Sequence, residues 1–188
     1  MATGTTTPRD RLLTAAADLF YREGVTATGV ERLCSVAGVS KRTMYQLFPT
    51  KDALVAEALA ATGPATNAAF LPDDAEVRPR ERILHIFRVL EETAERTEFA
   101  GCQFINIASD LRDRTHPAAV VAREFKQQLV DWFAAEARAG GAADPDLLAR
   151  QLTVVFDGSA SRVVVYGSDL DGLSVTTAAA LLDAAGVH

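Results

Sequence analysis

Basic and polar side chains are concentrated in residues 41–51, where they suit contact with a nucleic acid. Lys41, Arg42 and Lys51 each fall in the first turn of a predicted helix. Cations oppose the helix macrodipole there, at a cost of roughly 0.3–1 kcal/mol each, so folding alone favours Asp or Glu. Phosphate groups explain the choice, because helix N-termini and basic side chains both attract them. With Tyr45 and Gln46 beside them, these residues predict contact with DNA.

The elements that must position these side chains are two short helices joined by a tight turn. Gly38 stands where a helix C-terminus needs positive φ, and Ser40 is a suitable N-cap for the next helix. Thr28 and Glu31 have the spacing of a capping box that opens the preceding helix. The apolar positions expected to face inward are Leu33, Val36, Ala37, Val39, Met44, Leu47 and Phe48. This arrangement predicts a helix-turn-helix that places its second helix in a major groove.

The docking geometry of such motifs assigns roles to the polar residues. The predicted DNA contacts are Thr28, Lys41, Arg42, Thr43, Tyr45, Gln46 and Lys51. Arg42, Thr43 and Gln46 are the expected base readers, whereas Lys41, Tyr45 and Lys51 are expected to contact phosphates. Arg9 and Arg11 follow a polar N-terminal segment that is expected to be a loose arm, which makes them available to DNA as well.

Net charge is −6, but its distribution favours a DNA-binding N-terminal part. Residues 1–62 carry seven Lys or Arg and six Asp or Glu, for a balance of +1. The remaining 12 basic and 19 acidic residues give −7. An acidic remainder limits non-specific binding to nucleic acid, although solubility alone also explains it.

Length and hydrophobic periodicity predict an all-α protein of about nine helices. The 188 residues are 48% hydrophobic, enough for a small head and a larger core. Residues 1–50 are predicted to form a three-helix DNA-binding domain, and residues 51–188 a second, larger helical domain. Predicted helices cover about 9–23, 51–62, 79–96, 102–112, 117–138, 145–167 and 174–185, besides the two of the motif. Gly63-Pro64 is expected to end the fourth helix, with an irregular connection over 63–78.

Cysteine usage and the absence of targeting signals favour the cytoplasm. Cys34 and Cys102 lie 68 positions apart (102 − 34), which matches neither a disulfide framework nor a metal motif. No run of 18 apolar residues suggests a membrane span, and MATGTTTPRD lacks an apolar signal segment. We therefore expect a cytoplasmic protein with no metal and no cofactor.

The N-terminal third resembles the DNA-binding domain of TetR-family transcriptional regulators. The match covers residues 9–62, and spacing, turn glycine, aromatic pair and post-turn lysine all fall in register. The residues that carry it are Leu12, Ala16, Leu19, Phe20, Gly24, Thr28, Val30, Leu33, Ala37, Gly38, Val39, Ser40, Tyr45, Phe48, Lys51 and Leu54. Three residues depart from the usual pattern: Cys34 replaces an Ala, Gly29 a Ser or Thr, and Leu47 a His that often touches phosphate.

The last two predicted helices are too apolar for a solvent-facing surface. Small residues at 158–161 permit a close helix approach, which predicts a two-fold interface with two helices from each subunit; burial within one subunit is the alternative. The resemblance implies the same dimer. The predicted interface residues are Val155, Gly158, Ser159, Ala160, Arg162, Val163, Ala178, Leu181 and Leu182.

The resemblance also implies that residues 51–188 form an effector-binding and dimerisation domain, with a pocket in the middle of the chain for an apolar or amphipathic small molecule. The predicted lining residues are Phe87, Phe104, Asn106, Phe125, Trp132, Phe156, Asp157 and Tyr166. Ordinary core packing is the alternative for each aromatic residue. Asp157 and Arg162 interrupt an apolar helix five positions apart, so each is expected to need a partner elsewhere, across the dimer or in a pocket.

These features together predict a dimeric, effector-responsive repressor that binds a pseudo-palindromic operator in double-stranded DNA. An activator of the same fold and a thiol-based redox regulator using Cys34 or Cys102 remain alternatives. An enzyme is disfavoured because His85, His116 and His188 are scattered and no HExxH, Walker or GxSxG motif occurs. A helical dimer that does not bind DNA is disfavoured by the helix-start cations.

Overall fold

The computed structural model describes residues 6–72, 76–167 and 170–188, and the first five residues of the expected N-terminal arm lie outside them. Over these ranges the chain forms nine α-helices and no strand. They are α1 (Pro8–Arg22), α2 (Val30–Ala37), α3 (Lys41–Leu47), α4 (Lys51–Phe70), α5 (Pro79–Ala94), α6 (Gln103–Leu111), α7 (Pro117–Ala139), α8 (Pro145–Tyr166) and α9 (Leu173–Ala184). The all-α prediction is confirmed. No described helix combines the length and the apolar character that crossing a bilayer requires.

Helix α4 is longer than the sequence suggests. It continues through Gly63 and Pro64 to Phe70, so the predicted stop at residue 62 is wrong. A proline in a helix interior lacks the N–H for one backbone hydrogen bond and clashes with the preceding turn, which is why Pro64 predicts a helix end. Thr62 donates its hydroxyl to the carbonyls of Ala58 and Leu59 within the same stretch.

The chain forms two compact units, and the first contains the predicted helix-turn-helix. It comprises residues up to Pro64 together with 103–124, so α6 and the first part of α7 belong to it. Helix α1 contacts α2, α3 and α6. A capping box between Thr7 and Asp10 starts α1. The predicted boundary between a DNA-binding domain and a second domain at residues 50 and 51 stays a prediction. The compact units are not divided at this point, because the first extends to Pro64.

The second unit comprises residues 65–102 and 125–188, and its core lies among α5, α7, α8 and α9. The rings of Phe87 and Phe133 stack with centroids 5.9 Å apart, and Phe156 meets Phe87 edge-on. Helix α9 is anchored by Glu91 of α5, whose carboxylate accepts hydrogen bonds from the Ser174 backbone and hydroxyl and from a neighbouring amide. This carboxylate supplies the N-terminal cap that Gly172 has no side chain to provide.

Candidate nucleic-acid interface

The turn between α2 and α3 has the geometry that the sequence predicts. Gly38 adopts φ 63° and ψ 42°, and its amide and that of Val39 donate to the carbonyls of Ser35 and Cys34. Ser40 then caps α3, accepting the Thr43 amide at 3.0 Å. Both predictions are confirmed, and together they fix the direction in which α3 leaves the turn.

Helix α3 has one buried side and one exposed side. Met44 and the following Phe48 are fully buried, as predicted. Leu47 is 36% exposed and Val36 of α2 is 49% exposed, so their expected inward positions are wrong. The face left to solvent carries Arg42, Tyr45 and Gln46, and Leu47 adds apolar surface beside it.

The cations on this face differ in what they already bind. Lys41 forms an ion pair with Glu31 of α2, which raises the pKa of Lys41 and lowers that of Glu31. Among the described residues Arg42 makes no hydrogen bond or ion pair, so its guanidinium is available to a ligand. Thr43 shares a 2.8 Å hydrogen bond with the cap hydroxyl of Ser40. Arg42 is therefore the cation on α3 that is best placed to meet DNA without first breaking a contact.

Two of the predicted DNA contacts are occupied inside the protein. Thr28 is fully buried and donates its hydroxyl to the Gly24 carbonyl at 2.6 Å. The predicted capping box with Glu31 is wrong, because Gly29 is the N-cap of α2 and has no side chain. Lys51 donates its Nζ to the Val25 carbonyl at 2.5 Å and is half-buried. Both residues therefore donate hydrogen bonds to backbone carbonyls of the loop between α1 and α2 and stabilise it.

The arginines of the expected arm are also engaged. Arg11 donates to the carbonyls of Ala37 at 3.0 Å and Gly38 at 3.4 Å, where its charge complements the C-terminus of α2. Arg9 pairs with Glu57 and lies over the Phe48 ring, 5.2 Å from its centroid. The two residues therefore hold α1 to its neighbours, and the expectation that they are free for DNA is corrected.

Comparison with known proteins matches this geometry to one family. Residues 12–58 fit the family model for bacterial regulatory proteins of the tetR family. The TetR-type regulator SAV143 from Streptomyces avermitilis MA-4680 is 50% identical, with a TM-score of 0.93, over 97% of this chain and 100% of that one. The chain belongs to the TetR family of transcriptional regulators. It is thus a DNA-binding regulator and not an enzyme.

Two more distant relatives are also transcriptional regulators. SCO4454, a TetR-family regulator from Streptomyces coelicolor, is 22% identical with a TM-score of 0.78, over 95% of this chain and 96% of that one. The HTH-type transcriptional regulator YjdC from Escherichia coli K12 is 22% identical over 87% of this chain and 86% of its own length. The helices that the structure describes in this TetR-family chain thus follow the fold of SAV143 and SCO4454.

The residues predicted for an effector pocket are divided between the two units of this TetR-family regulator. Phe104 and Asn106 belong to the first unit, and the remaining predicted lining residues to the second. Phe87 is fully buried in the aromatic core, whereas Tyr166 is 66% exposed at the end of α8. Their assignment to one pocket stays a prediction.

A charged pair lies beside this aromatic cluster. Asp157 binds Lys126 of α7, and the Lys126 ammonium also lies 5.1 Å from the Phe156 ring centroid. Burial raises the pKa of Asp157, although Lys126 acts in the opposite direction. The sequence indicated that Asp157 needs a partner but missed Lys126, because helical periodicity alone does not align α7 with α8. Arg162 is exposed and stacks on Tyr166 at 4.6 Å, so it is not a buried charge.

Several predicted interface residues face the subunit's own core. The buried ones are Ser159, Ala160, Val163, Ala178 and Leu182. Their side chains are unavailable to a second subunit, which corrects that part of the predicted interface. Val155 and Leu181 are half-buried, and Gly158 and Arg162 are exposed. Val154 and Val165 lie outside the predicted set and are 71% and 72% exposed. The sequence does not single them out, because an apolar residue gives no sign of which side of a helix is covered.

Neither Cys34 nor Cys102 forms a disulfide within the described part of the chain. Cys34 is 6% exposed within α2, and burial is the main cause that raises its pKa, with Lys41 opposing and Glu31 adding to the shift. A raised pKa keeps the thiol protonated and slows its oxidation, since the thiolate is the reactive form. This environment disfavours Cys34 as a redox sensor. No described cluster of three or more His, Cys, Asp or Glu has the arrangement of a metal site.

Proposed function

We propose that this regulator is a dimeric repressor that binds a pseudo-palindromic operator and is released by a small amphipathic effector. The observation that carries the proposal is the exposed face of α3, where Arg42, Tyr45 and Gln46 follow a glycine turn. Bound over a promoter, such a protein blocks polymerase sterically. The cytoplasm, where bacterial DNA lies, is its proposed location.

The dimer is proposed to form through an exposed stripe of α8 and the neighbouring face of α9. Along α8 one set of exposed positions recurs every three or four residues, which places these residues on one helical face. They are Leu147, Gln151, Val154, Gly158, Ser161 and Val165, and on α9 Leu173, Thr177, Ala180 and Ala184. Apolar ends around a small-residue centre allow two helices to approach closely, and helices α8 and α9 already contact each other.

Two-fold symmetry sets the form of the operator. Each subunit contributes one α3, and a dimer of helix-turn-helix domains binds half-sites about one DNA turn, roughly 34–36 Å, apart. An inverted repeat follows, because isologous interfaces relate the two domains by a two-fold axis. A single half-site holds only part of the contacts, so operator affinity depends on dimerisation.

Gly158 offers a sharp test of the dimer. A Cβ at this position meets no atom within 4 Å in the single chain, so Gly158→Arg leaves the subunit fold unstrained. At a close helix crossing the same side chain clashes. We expect Gly158→Arg to sediment as a monomer of native helix content with at least tenfold weaker operator binding. Ala135→Arg, on an exposed position of α7, is the matched control and should remain dimeric. A dimeric Gly158→Arg protein would remove α8 from the proposed interface.

The effector is proposed to bind in the second unit beside Lys126 and Asp157. This pair places a cation and an anion next to the aromatic surface of Phe156, which suits a molecule with one polar end. Trp132 is the only tryptophan in the sequence and packs edge-on against Phe133, at 5.6 Å between ring centroids. Its emission therefore reports changes in the same unit.

The coupling can be measured by titrating a library of amphipathic compounds while following Trp132 emission and operator affinity together. Effector and DNA must weaken each other by the same factor, with a coupling free energy of about 1–3 kcal/mol. A compound that saturates the emission change and leaves operator affinity unaltered would contradict release by that compound. Failure of the whole library would favour control of another kind.

A further inference from the structure

The loop between α1 and α2 is held by three side chains, each of which binds its backbone. Thr28 donates to the Gly24 carbonyl, and Lys51 of α4 donates to the Val25 carbonyl. The third contact comes from Asp110 of α6, whose Oδ2 accepts the Thr26 amide at 2.8 Å. Thr28 and Lys51 flank the helix-turn-helix in the sequence, whereas Asp110 is 84 residues away from Thr26 in the chain.

The environment of Asp110 is that of an ionised carboxylate that binds backbone amides. Burial raises its pKa, but hydrogen bonds from Thr26 and from the Val25 backbone, with the charge of Lys51, bring the pKa below its ordinary value. Charge-assisted hydrogen bonds of this kind are stronger than neutral ones. The Asp110 carboxylate therefore accepts a hydrogen bond from a backbone amide of the loop, and the Lys51 ammonium donates one to a backbone carbonyl of the same loop.

Gly24 fits this contact in two ways. Its φ of +86° is a conformation that other residues adopt rarely, and a Cβ at this position would lie 3.2 Å from Asp110 Oδ2. A glycine thus permits both the path of the loop and the approach of the carboxylate. The loop leads directly into α2, and α2 packs against α3.

We propose that Asp110 is a positioning residue for DNA binding, which holds the α1–α2 loop so that α2 and α3 keep the orientation that fits the major groove. It touches no DNA itself. The proposal needs neither the dimer interface nor the effector of the preceding section, so its failure would leave both intact. It places in α6 a residue on which operator recognition depends.

For Asp110→Asn, the loss of a negative charge and the loss of the loop contact predict opposite effects on DNA affinity. Removing a negative charge from a DNA-binding unit strengthens its attraction to phosphates. Loosening the loop weakens recognition of a specific site and leaves non-specific binding almost unaffected. Asp110→Asn therefore distinguishes the effect of charge from the effect of loop positioning. Asp110→Glu distinguishes them independently, because it keeps the charge and displaces the carboxylate by about one bond.

The experiment uses the full-length chain and two duplexes, one selected by the wild-type protein from a random pool and one with the same bases scrambled. We expect Asp110→Asn and Asp110→Glu to bind the selected duplex about tenfold or more weakly, the scale of a charge-assisted hydrogen bond. Binding to the scrambled duplex should be unchanged, or for Asp110→Asn slightly tighter. The salt slope should stay at its wild-type value, because no phosphate contact is lost. Amide exchange at Thr26 should become faster.

Asp113→Asn is the matched control, since this exposed carboxylate follows α6 closely and binds Thr115, two residues further along the chain, and not the loop between α1 and α2. It should bind both duplexes like the wild type. Helix content by circular dichroism shows whether each variant is folded. If Asp110→Asn is unfolded, the binding of Asp110→Glu tests the positioning role. Wild-type affinity of folded Asp110 variants for the selected duplex, or tighter binding to it, would overturn the proposal. An equal loss on both duplexes would overturn it too.

Discussion

Arg42 is the residue on which sequence recognition should depend most, because its guanidinium is unpaired among the described residues and lies on the exposed face of α3. Lys41 must first leave Glu31, and Lys51 is bound to the Val25 carbonyl. A guanidinium matches the two acceptors of a guanine edge, and an amide such as that of Gln46 matches adenine. These two side chains are therefore the proposed base readers.

Arg42→Ala and Gln46→Ala should each relax base preference at a different operator position, by about 1–3 kcal/mol. The measurement is binding to duplexes carrying every single base change in one half-site. Arg150→Ala, an exposed position on α8, provides the control and should leave the preferences unaltered. If Arg42→Ala instead weakens all duplexes equally and lowers the salt slope by about one unit, Arg42 contacts phosphate and the base-reading role is contradicted.

At this scale the sequence predicts residues whose role depends on local backbone geometry. Gly38 and Ser40 could be assigned because positive φ and N-capping are properties of adjacent positions. Thr28, Lys51 and Arg11 could not be, since each donates to a backbone carbonyl. The path of a loop decides which carbonyls are within reach, and side-chain type does not reveal that path.

At the scale of helices, periodicity identifies the elements but not their neighbours. The ends of α5 and α7 fall within two residues of the predicted ones, because their apolar spacing and flanking prolines are clear. Helix α4 continues past Pro64, although a proline is a local signal for a helix end. Which face of α8 is buried depends on α5 and α9, so Ala160 is core and Val154 is exposed.

The pairing of α7 with α8 through Lys126 and Asp157 has a consequence for pH. Burial raises the pKa of Asp157 above its ordinary value of 3.8, so the folded protein holds this proton more tightly than the unfolded chain. The stability that Asp157 contributes is therefore fully present below pH 3.8 and is lost as pH rises through the raised pKa.

We expect the free energy of unfolding of the wild type, minus that of Asp157→Asn, to decrease as pH rises from 3.8 and then to level off. Urea unfolding at a series of pH values measures this difference. Asp131→Asn, an exposed carboxylate on α7, is the control and should show no such decrease. A difference that grows with pH would mean that Lys126 outweighs burial.

At the scale of the whole molecule, charge and function are separated along the chain. The balance of +1 in residues 1–62 accompanies the DNA-binding face, whereas the remaining −7 discourages non-specific contact with nucleic acid. Family and fold class were within reach of the sequence, because the helix-turn-helix pattern is local and dense. The grouping of α6 with the N-terminal helices was not, since it depends on contacts between residues far apart in the chain.

We propose above that the two α3 helices of a dimer bind the two half-sites of one inverted repeat. The most direct test is selection of duplexes from a random pool by the purified chain, followed by sedimentation of the complex. We expect two inverted half-sites with centres about 10–10.5 base pairs, or a multiple of one turn, apart, and two chains on each duplex or a multiple of two. Enrichment of a single half-site bound by one chain, or no enrichment of any sequence, would contradict it.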